Sequence, residues 1–534
     1  MWKKRIEIVN SLKDYFTKKH GNIEKFFEDT REYELPNAKE AAQLIQEFSD
    51  RCFYIIGDYD VDGIVGTAIM KIGLERRGYK VIFRIPKRFS EGYGICDSII
   101  EEVPKDAVVI TVDNGISAIE QIRALKARGH PVIVTDHHLP VTENDEVILP
   151  DADIIVNPKV KSDGFDGYCG AGVAYKIIKN LLPEVDVVMP LLTAYAAIGT
   201  VADMMDLVKE NRFIVTEGLK VLNGERGILT RGMKALLQVL GKEKLTSTDI
   251  AYGIAPMLNA PGRLEDDGAL MALSLIIQNK DIQESIQLAL VVREKNEMRK
   301  KLEKEAIEKV IDELPEDISH PLIVYIPDVG EGVIGLIAAN LVKEYRVPSF
   351  VFTDAKEEGI IKGSGRSVDG VHMKELLDKS EELYVTYGGH EGAAGIKMKK
   401  NNLEAMREKI CFLLEDFSPD KDDYYDVEIC PKQAEEVYRE LEKFAPFGRG
   451  NEKPVIALRS INPTNYRVMG SEKQHLRISC DGCDVLCFNE AKNILECQNQ
   501  AVTIPMHFYG NLSVNEFRGV KTMQMIVNGY ETEN

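Results

Sequence analysis

The chain has no surplus of positive charge: 67 Lys and Arg stand against 86 Asp and Glu, a net charge of −19 over 534 residues. Phosphate contacts dominate nucleic-acid affinity and reward basic surface. The balance therefore gives no sign of a broad basic stripe, predicts a weak, salt-sensitive grip on any strand outside a local site, and argues against a processive enzyme on long strands. Long apolar runs are missing too. The sixteen uncharged residues from Val187 to Ala202 are interrupted by Pro190 and Gly199, too short and too broken for a membrane span and suited to a buried helix. Met1-Trp2-Lys3-Lys4-Arg5 is basic but leads into a mixed helical pattern, so neither a secretory signal nor a membrane segment is expected. The nine cysteines follow no framework spacing, which excludes a disulfide scaffold and suits a reducing cytoplasm. Cys480, Cys483, Cys487 and Cys497 are separated by two, three and nine residues, which matches no strong zinc or iron–sulfur signature. The first three fall on a hairpin expected from Leu476 to Phe488, turning at Asp481-Gly482, and are read as ordinary thiols.

What is present organises the chain. A hydrophobic fraction of 44% is ample for packed cores, and the length is too great for a single one, so about three domains are expected. Residues 1–50 read as helical, ending in an entry helix around Ala38 to Phe48. From 51 to 265, short β-branched runs alternate with helical stretches such as 117–128, the pattern of βαβ units on a parallel sheet. Between Asp281 and Leu314 there is neither glycine nor proline, which predicts a helix of about 50 Å at 1.5 Å per residue within a connecting region, 266–317. A second α/β lobe, 318–415, opens on the strand-like Pro321 to Ile326. So rigid a connector, without the glycine and serine of a flexible linker, predicts two lobes held across a cleft. The acidic stretch from Glu415 to Asp426 marks the last boundary. Beyond it, over 425–534, short alternating runs such as Val455 to Ser460 and Val502 to Phe508 predict an all-β barrel.

The densest chemistry lies directly after the apolar run Cys52 to Ile56, in Gly57-Asp58-Tyr59-Asp60-Val61-Asp62-Gly63. At a strand end the backbone turns, so Asp58, Asp60 and Asp62 are able to converge; crowded carboxylates are relieved by raised pKa values or by a divalent cation. A solvated acidic loop is the bland alternative. A calcium loop counted from Asp58 would need a glutamate at its twelfth position, where this chain has Ile69. Two further apolar runs end in ligand-type residues: Ala107 to Val112 in Asp113-Asn114-Gly115, and Pro131 to Thr135 in Asp136-His137-His138. In parallel sheets ligands collect beyond the carboxyl ends of the strands, so the three clusters share an edge. Asp203 closes the uncharged stretch before it and is costly to bury unpaired. Singly, Asp113 reads as a helix cap, His137 as a core histidine and Asp203 as a helix-end carboxylate. Together they carry too much charge for one ion and fit two, and a set of oxygen and nitrogen ligands without thiolate favours Mn2+ or Mg2+ over structural zinc.

The blocks Asp58-Tyr59-Asp60-Val61-Asp62-Gly63, Val112-Asp113-Asn114-Gly115, Asp136-His137-His138 and Gly199-Thr200-Val201-Ala202-Asp203, in that order, resemble the four motifs of the DHH phosphoesterase superfamily. Gly388-Gly389-His390-Glu391-Gly392-Ala393-Ala394-Gly395 is similar to the glycine–histidine signature of its partner domain, DHHA1. Three more blocks, Ser90 to Gly94, Pro256 to Arg263 and Pro446 to Asn451, make the chain most similar to the RecJ-like single-strand-specific exonucleases of that superfamily. The resemblance runs from about residue 50 to the end. It implies DHH and DHHA1 lobes joined by the long helix, with an oligonucleotide-binding (OB) barrel after them.

The resemblance further implies a role for each matching residue. Asp60, Asp62, Asp113, His137 and Asp203 are metal ligands in this reading, with Asp113 bridging two ions, Asp58 and Asp136 orienting them, and His138 acting near the scissile phosphate. Ser364 and Arg366, in Gly363-Ser364-Gly365-Arg366-Ser367, together with Gly389 and His390, would hold a strand's terminal phosphate. Arg88, Tyr93, Asn259 and Arg263 are further substrate-binding candidates. The implied activity is 5′→3′ hydrolysis of single-stranded DNA to nucleoside 5′-monophosphates in repair and recombination. The enzyme would act in the cytoplasm as a monomer, beside a helicase and a single-strand-binding protein. Tyr466, Phe488, Phe508, Tyr509 and Phe517 are each placed to stack bases or to fill the barrel core. One departure stands out: where such chains carry tryptophan and histidine, this one has Val329-Gly330-Glu331. Two other readings stay open, a phosphodiesterase for short oligonucleotides or cyclic dinucleotides and a non-catalytic single-strand-binding scaffold.

Overall fold

Five β-branched runs build the first sheet. In the computed structural model of the chain, the all-parallel strands lie side by side in the order Lys80–Arg84, Cys52–Ile56, Val108–Val112, Val132–Thr135 and Ile154–Val156. Val108–Val112 and Val132–Thr135 are buried along their whole length, as parallel strands covered on both faces must be. Helices Val61–Arg76, Gly170–Leu181 and Met189–Ala202 follow in the same lobe, and glycine sets how closely they pack. A Cβ at Gly73 would lie 2.5 Å from the Ile178 side chain. Met189–Ala202 is the buried helix expected from its lack of charge, with Asp203 at its C-cap. The structure describes residues 2–5, 11–28, 32–143, 146–279, 281–314, 318, 320–420, 422–462, 465–498, 505–517 and 520–533.

Helix Ile282–Glu313 is the long connector. Asp281 starts it, its Oδ1 accepting the amides of Gln283 at 2.7 Å and Glu284 at 3.0 Å, a side-chain N-cap. Ala306 and Val310 near its end are buried with Ile337 and Leu341 in the core of the second lobe, so the connector is packed rather than flexible. That lobe carries a five-stranded sheet in the order Tyr384–Gly389, Ala393–Lys399, Ile360–Arg366, Ser349–Asp354, Leu322–Tyr325. Only its last pair is parallel. Residues Tyr33–Met205 and Ile214–Asp420, both lobes and the connector, form one compact unit.

The second unit comprises Met1–Glu32, Asp206–Phe213 and Lys421–Asn534. Its larger sheet has seven strands, from Val427–Ile429 at one edge to Tyr466–Met469 at the other. Two pairs are parallel, Val427–Ile429 with Ile456–Ile461 and Asp484–Cys487 with Val520–Thr532, and the rest antiparallel. The expected hairpin is present, with Leu476 opposite Cys487. Cys483 and Cys487 are buried in the apolar core, where burial pushes both thiols up to about 12. The Cys497 and Phe517 side chains and Val502 to Ile504 lie outside the described residues. Phe508 and Tyr509 are core, whereas Tyr466 and Phe488 are exposed.

The N-terminal stretch departs from an all-helical reading. Trp2–Lys4 is a strand, parallel to Asp423–Tyr425, and the Trp2 ring stacks on Tyr509 at 4.4 Å. Leu12 and Phe16, from helix Leu12–His20, join the core of the second unit, Phe16 stacking on Phe444 at 3.7 Å. Helix Ala38–Glu47 lies in the first unit. An apolar helical stripe says that something must cover it, not what does. Among the described residues no helix is long and apolar enough to cross a membrane.

Candidate metal centre

Three neighbouring strands end at one edge of the parallel sheet, and each end carries ligand-type residues. After Cys52–Ile56 the chain turns at Gly57 and buries Asp58; Asp60 then caps helix Val61–Arg76, its Oδ1 accepting the Gly63 amide at 3.1 Å. Asp62, in the first turn of that helix, is buried and accepts the amides of Gly170 at 2.6 Å and Ala171 at 3.0 Å. Those amides begin helix Gly170–Leu181, a terminus suited to an anion. After Val108–Val112, Asp113 is buried in the left-handed conformation at φ 62°. After Val132–Thr135, Asp136 accepts from the amides of Ile116 at 2.9 Å, His137 at 2.7 Å and His138 at 3.1 Å, and its Oδ1 is 2.7 Å from His138 Nδ1.

The ligand atoms converge. His137 Nε2 is 3.2 Å from Asp113 Oδ1, 3.6 Å from Asp203 Oδ2 and 3.8 Å from Asp62 Oδ2. Three overlapping groups bring their donor atoms within 4.8 Å of one another: Asp58, Asp60 and Asp113; Asp62, His137 and Asp203; and Asp113, His137 and His138. Asp58 Oδ1 and Asp113 Oδ1 are buried without a hydrogen bond, which is costly for a carboxylate. Burial first, then the charge of Asp60, pushes Asp58 up to about 8 and Asp62 up to about 6. Burial and the neighbouring carboxylates, Asp62 first, raise Asp113 far above the usual range. Such carboxyls ionise when a cation sits among them. Burial, then the charge of His138, lowers His137 to about 3, leaving a neutral imidazole fit to ligate. Burial opposes charge on His138 as well, but the Asp136 hydrogen bond and charge outweigh it and push His138 up to about 9. The donor set of carboxylates and one or two imidazoles therefore fits divalent Mn2+ or Mg2+.

A cavity of about 750 Å³ lies between the two lobes of this unit, lined by Arg88, Tyr93 and Arg263 from the first and by Ser364, Arg366 and Gly389 from the second. Tyr93 links it to the acidic cluster. Its hydroxyl donates to the Asp113 carbonyl at 3.4 Å, and its ring lies edge-on to His138 at 6.1 Å. The Arg88 guanidinium stacks over Tyr59 at 4.0 Å, and its Nε is buried without a partner. Arg263 Nη1 donates to the Gly332 carbonyl at 3.2 Å; burial, then the charges of Arg88, Arg299 and Arg366, lowers it to about 10. Arg366 Nη1 donates to Ser364 Oγ and to the Gly365 carbonyl, both at 2.8 Å. His390 sits on the exposed turn after Gly389, its Nδ1 accepting the Gly392 amide at 3.2 Å.

The Asn259 Oδ1 accepts the Val61 amide at 3.1 Å, holding the start of the helix that carries Asp62. At the departure site, the Val329 carbonyl accepts from Thr353 Oγ1 at 2.7 Å, and a Cβ at Gly330 would meet nothing within 4 Å. Sequence reasoning missed Asn157, a buried residue whose Nδ2 donates to the His138 carbonyl at 2.9 Å. It also missed the Gly170 and Ala171 amides, for which the only hint was the small-residue run Gly170-Ala171-Gly172.

Comparison with known proteins matches the DHH family N-terminal domain over residues 52–200, the DHHA1 domain over 319–416 and the RecJ OB domain over 425–529. The chain is 30% identical over 519 residues to the single-stranded-DNA-specific exonuclease RecJ of Bacillus subtilis, of which it spans 63%. It is 29% identical over 514 residues to the Salmonella typhimurium protein of the same name, of which it spans 86%. Among solved structures it matches RecJ from Thermus thermophilus in complex with Mn2+ with a TM-score of 0.81 and 26% identity, covering 97% of this chain and 75% of that one.

Proposed function

We propose, for a chain that belongs to the RecJ-like branch of the DHH/DHHA1 phosphoesterase superfamily, that it is a metal-dependent exonuclease hydrolysing single-stranded DNA from its 5′ end to nucleoside 5′-monophosphates. One observation carries this reading: a buried set of carboxylates with unpartnered oxygens is joined through Tyr93 to an arginine-lined cavity. Asp58, Asp60, Asp62, Asp113, His137 and Asp203 would hold two divalent ions, which would supply Lewis acidity toward water and a phosphodiester.

The chain's own residues do the rest. Asp136 fixes the His138 ring through its Nδ1 and favours the charged imidazole, which is placed to offset charge on the phosphoryl oxygens. Asn259 and Asp60 hold the first turn that presents Asp62. Arg366 offers a planar fork for a terminal phosphate, with Ser364 beside it. A phosphate pocket at a fixed distance from the acidic cluster admits a strand by its 5′ end and sets the length of the released piece to one nucleotide. The enzyme acts as a monomer in the cytoplasm, on strands that a helicase opens and a single-strand-binding protein keeps open. A matched OB domain favours this reading over a phosphodiesterase for short substrates, and the complete ligand set favours it over a scaffold.

The test is digestion of an end-labelled single strand with Mn2+, beside its duplex, the opposite label and an Asp113→Ala control. Mononucleotides freed only from the 5′ end of the single strand, and none in the control, are expected. Hydrolysis of di- and trinucleotides with the long strand untouched would overturn the reading.

A further inference from the structure

The cavity that holds Ser364 and Arg366 does not end with them. On strand Ile360–Arg366 residues two apart share a face, so Lys362, Ser364 and Arg366 stand in one row. Across the sheet, Ser364 is opposite Gly395 and Gly395 is opposite Gly388; Lys362 is opposite Lys397 and Lys397 is opposite Thr386. The middle rank is thus one serine and two glycines, and a Cβ at Gly388 or Gly395 would meet nothing within 4 Å. The floor is bare there and the space above it open. Two residues farther along the strand, about 7 Å from the serine rank, Lys362 and Lys397 line the same cavity of about 750 Å³. A single terminal phosphate held at Ser364 and Arg366 does not span the ~7 Å to the lysine rank.

Two lysines directly opposite on neighbouring strands repel, so anionic partners stabilise their placement. Each has one carboxylate: Glu331 at 2.5 Å from Lys362, itself lining the cavity, and Glu357 at 2.8 Å from Lys397. Partly exposed ion pairs of this kind contribute little, and a multiply charged phosphate chain replaces such partners at small cost.

We propose that the Lys362–Lys397 rank binds the outer phosphates of a strand that ends in a 5′-triphosphate, while Ser364 and Arg366 hold its innermost phosphate. The inference rests on the exonuclease reading and on that role for Ser364 and Arg366. The first cut then differs from all later ones only in its product. The oxygen of water joins the first internucleotide phosphorus, and the bond from that phosphorus to the 3′ oxygen breaks. That oxygen takes a proton and leaves as the 3′-hydroxyl of a nucleoside 5′-triphosphate. The shortened strand keeps a 5′-monophosphate, the end expected for every later cycle. De novo strand initiation by a polymerase is the class of reaction that supplies such ends.

The experiment compares the full chain with Mn2+ on one DNA single strand carrying a 5′-triphosphate, a 5′-monophosphate or a 5′-hydroxyl, with products separated by anion exchange. One nucleoside triphosphate per triphosphorylated strand is expected. In Lys362→Ala/Lys397→Ala the first cut of that strand should slow by about tenfold or more, with the monophosphorylated strand changed by less than about twofold, since a charge-assisted hydrogen bond is worth at least a factor of ten. Glu331→Gln, which leaves both lysines in place, should speed the first cut of the triphosphorylated strand alone. Equal slowing of both strands in the lysine variant, or a wild-type enzyme that degrades the monophosphorylated strand and leaves the triphosphorylated one intact, overturns the proposal. Failure on the monophosphorylated strand itself would overturn the exonuclease reading, and this inference with it.

Discussion

Asp136 stands outside the proposed set of metal ligands, yet its removal should cost the fold a large share of its stability. Its two oxygens accept three backbone amides and one imidazole nitrogen. In Asp136→Ala the amides of Ile116, which is buried, and of His137, which is mostly buried, lose their acceptor. A buried donor left without a partner costs about 1–3 kcal/mol. The His138 side chain is half-exposed, so its donors turn to water instead. The lobe should therefore lose about 2–6 kcal/mol, a large share of the stability of an ordinary domain. Asp136→Asn keeps the shape and one acceptor oxygen and should cost about half of that, but it removes the charge, so the His138 imidazole should fall from about 9 toward its ordinary value. The assays are urea unfolding of the metal-free protein, hydrogen exchange of the peptides holding Ile116 and His137, and histidine titration by NMR. If Asp136→Ala unfolds within about 0.5 kcal/mol of wild type, the size of a neutral surface change, with exchange at Ile116 unaltered, the anchoring argument is wrong.

Other groups in the two units carry expectations of their own. Asp58 and Asp62, raised from 3.8 to about 8 and about 6, hold protons in the folded metal-free protein that the unfolded chain has already released. Metal-free stability should accordingly be greatest below the unfolded value and decline as pH rises through those folded values. Mn2+ binding should release protons and tighten with pH over the same window, measurable by calorimetry in buffers of different ionisation enthalpy. Gly199→Ala puts a Cβ onto Asp62 Oδ1 and within 2.6 Å of the Ala171 Cβ; about 1–3 kcal/mol of overpacking strain should appear in thermal unfolding, with a larger proportional loss of Mn2+ affinity. Trp2→Ala removes the chain's only tryptophan and its stack on Tyr509; the second unit should lose about 0.5–1.5 kcal/mol beyond the lost burial, read by near-ultraviolet circular dichroism during urea unfolding.

What the sequence discloses here depends on whether a signal is local. Asp58 to Asp62, Asp113, and Asp136 to His138 are readable as one cluster because parallel strands are forced to end at a common edge. Asp203 is readable because sixteen uncharged residues before it leave a carboxylate at the end of a buried helix. Asn157 carries no such signal: a single asparagine after a short strand is as common in a turn as in a site, and only the fold sets it against the His138 carbonyl. The amides of Gly170 and Ala171 have no side chain to read. Asn259 shows how a motif residue carries a role the sequence does not display, since its oxygen also holds the Val61 amide at the start of the helix that bears Asp62. The fate of the first thirty residues was hidden for another reason. Phe16 and Trp2 are covered by Phe444 and Tyr509, more than four hundred residues away in the chain, and helical periodicity does not reach across such distances.

The net charge of −19 argues against a nucleic-acid substrate, and the site resolves that conflict. Net charge acts through solvent and is screened within about 8 Å at physiological salt, whereas groups in a partly dehydrated cleft act at contact. There the two halves are incomplete in opposite senses. Asp58 Oδ1 and Asp113 Oδ1 are buried acceptors without donors, and Arg88 Nε is a buried donor without an acceptor. Burial weakens the proton hold of Arg263 and Arg366 in the same direction. Cations satisfy the first half and a phosphate the second, and a phosphodiester lying between them is attracted by both at once. For the proposed exonuclease, an acidic net charge would withhold diffuse affinity for long strands and leave binding to the few fixed contacts that an entering strand end can reach.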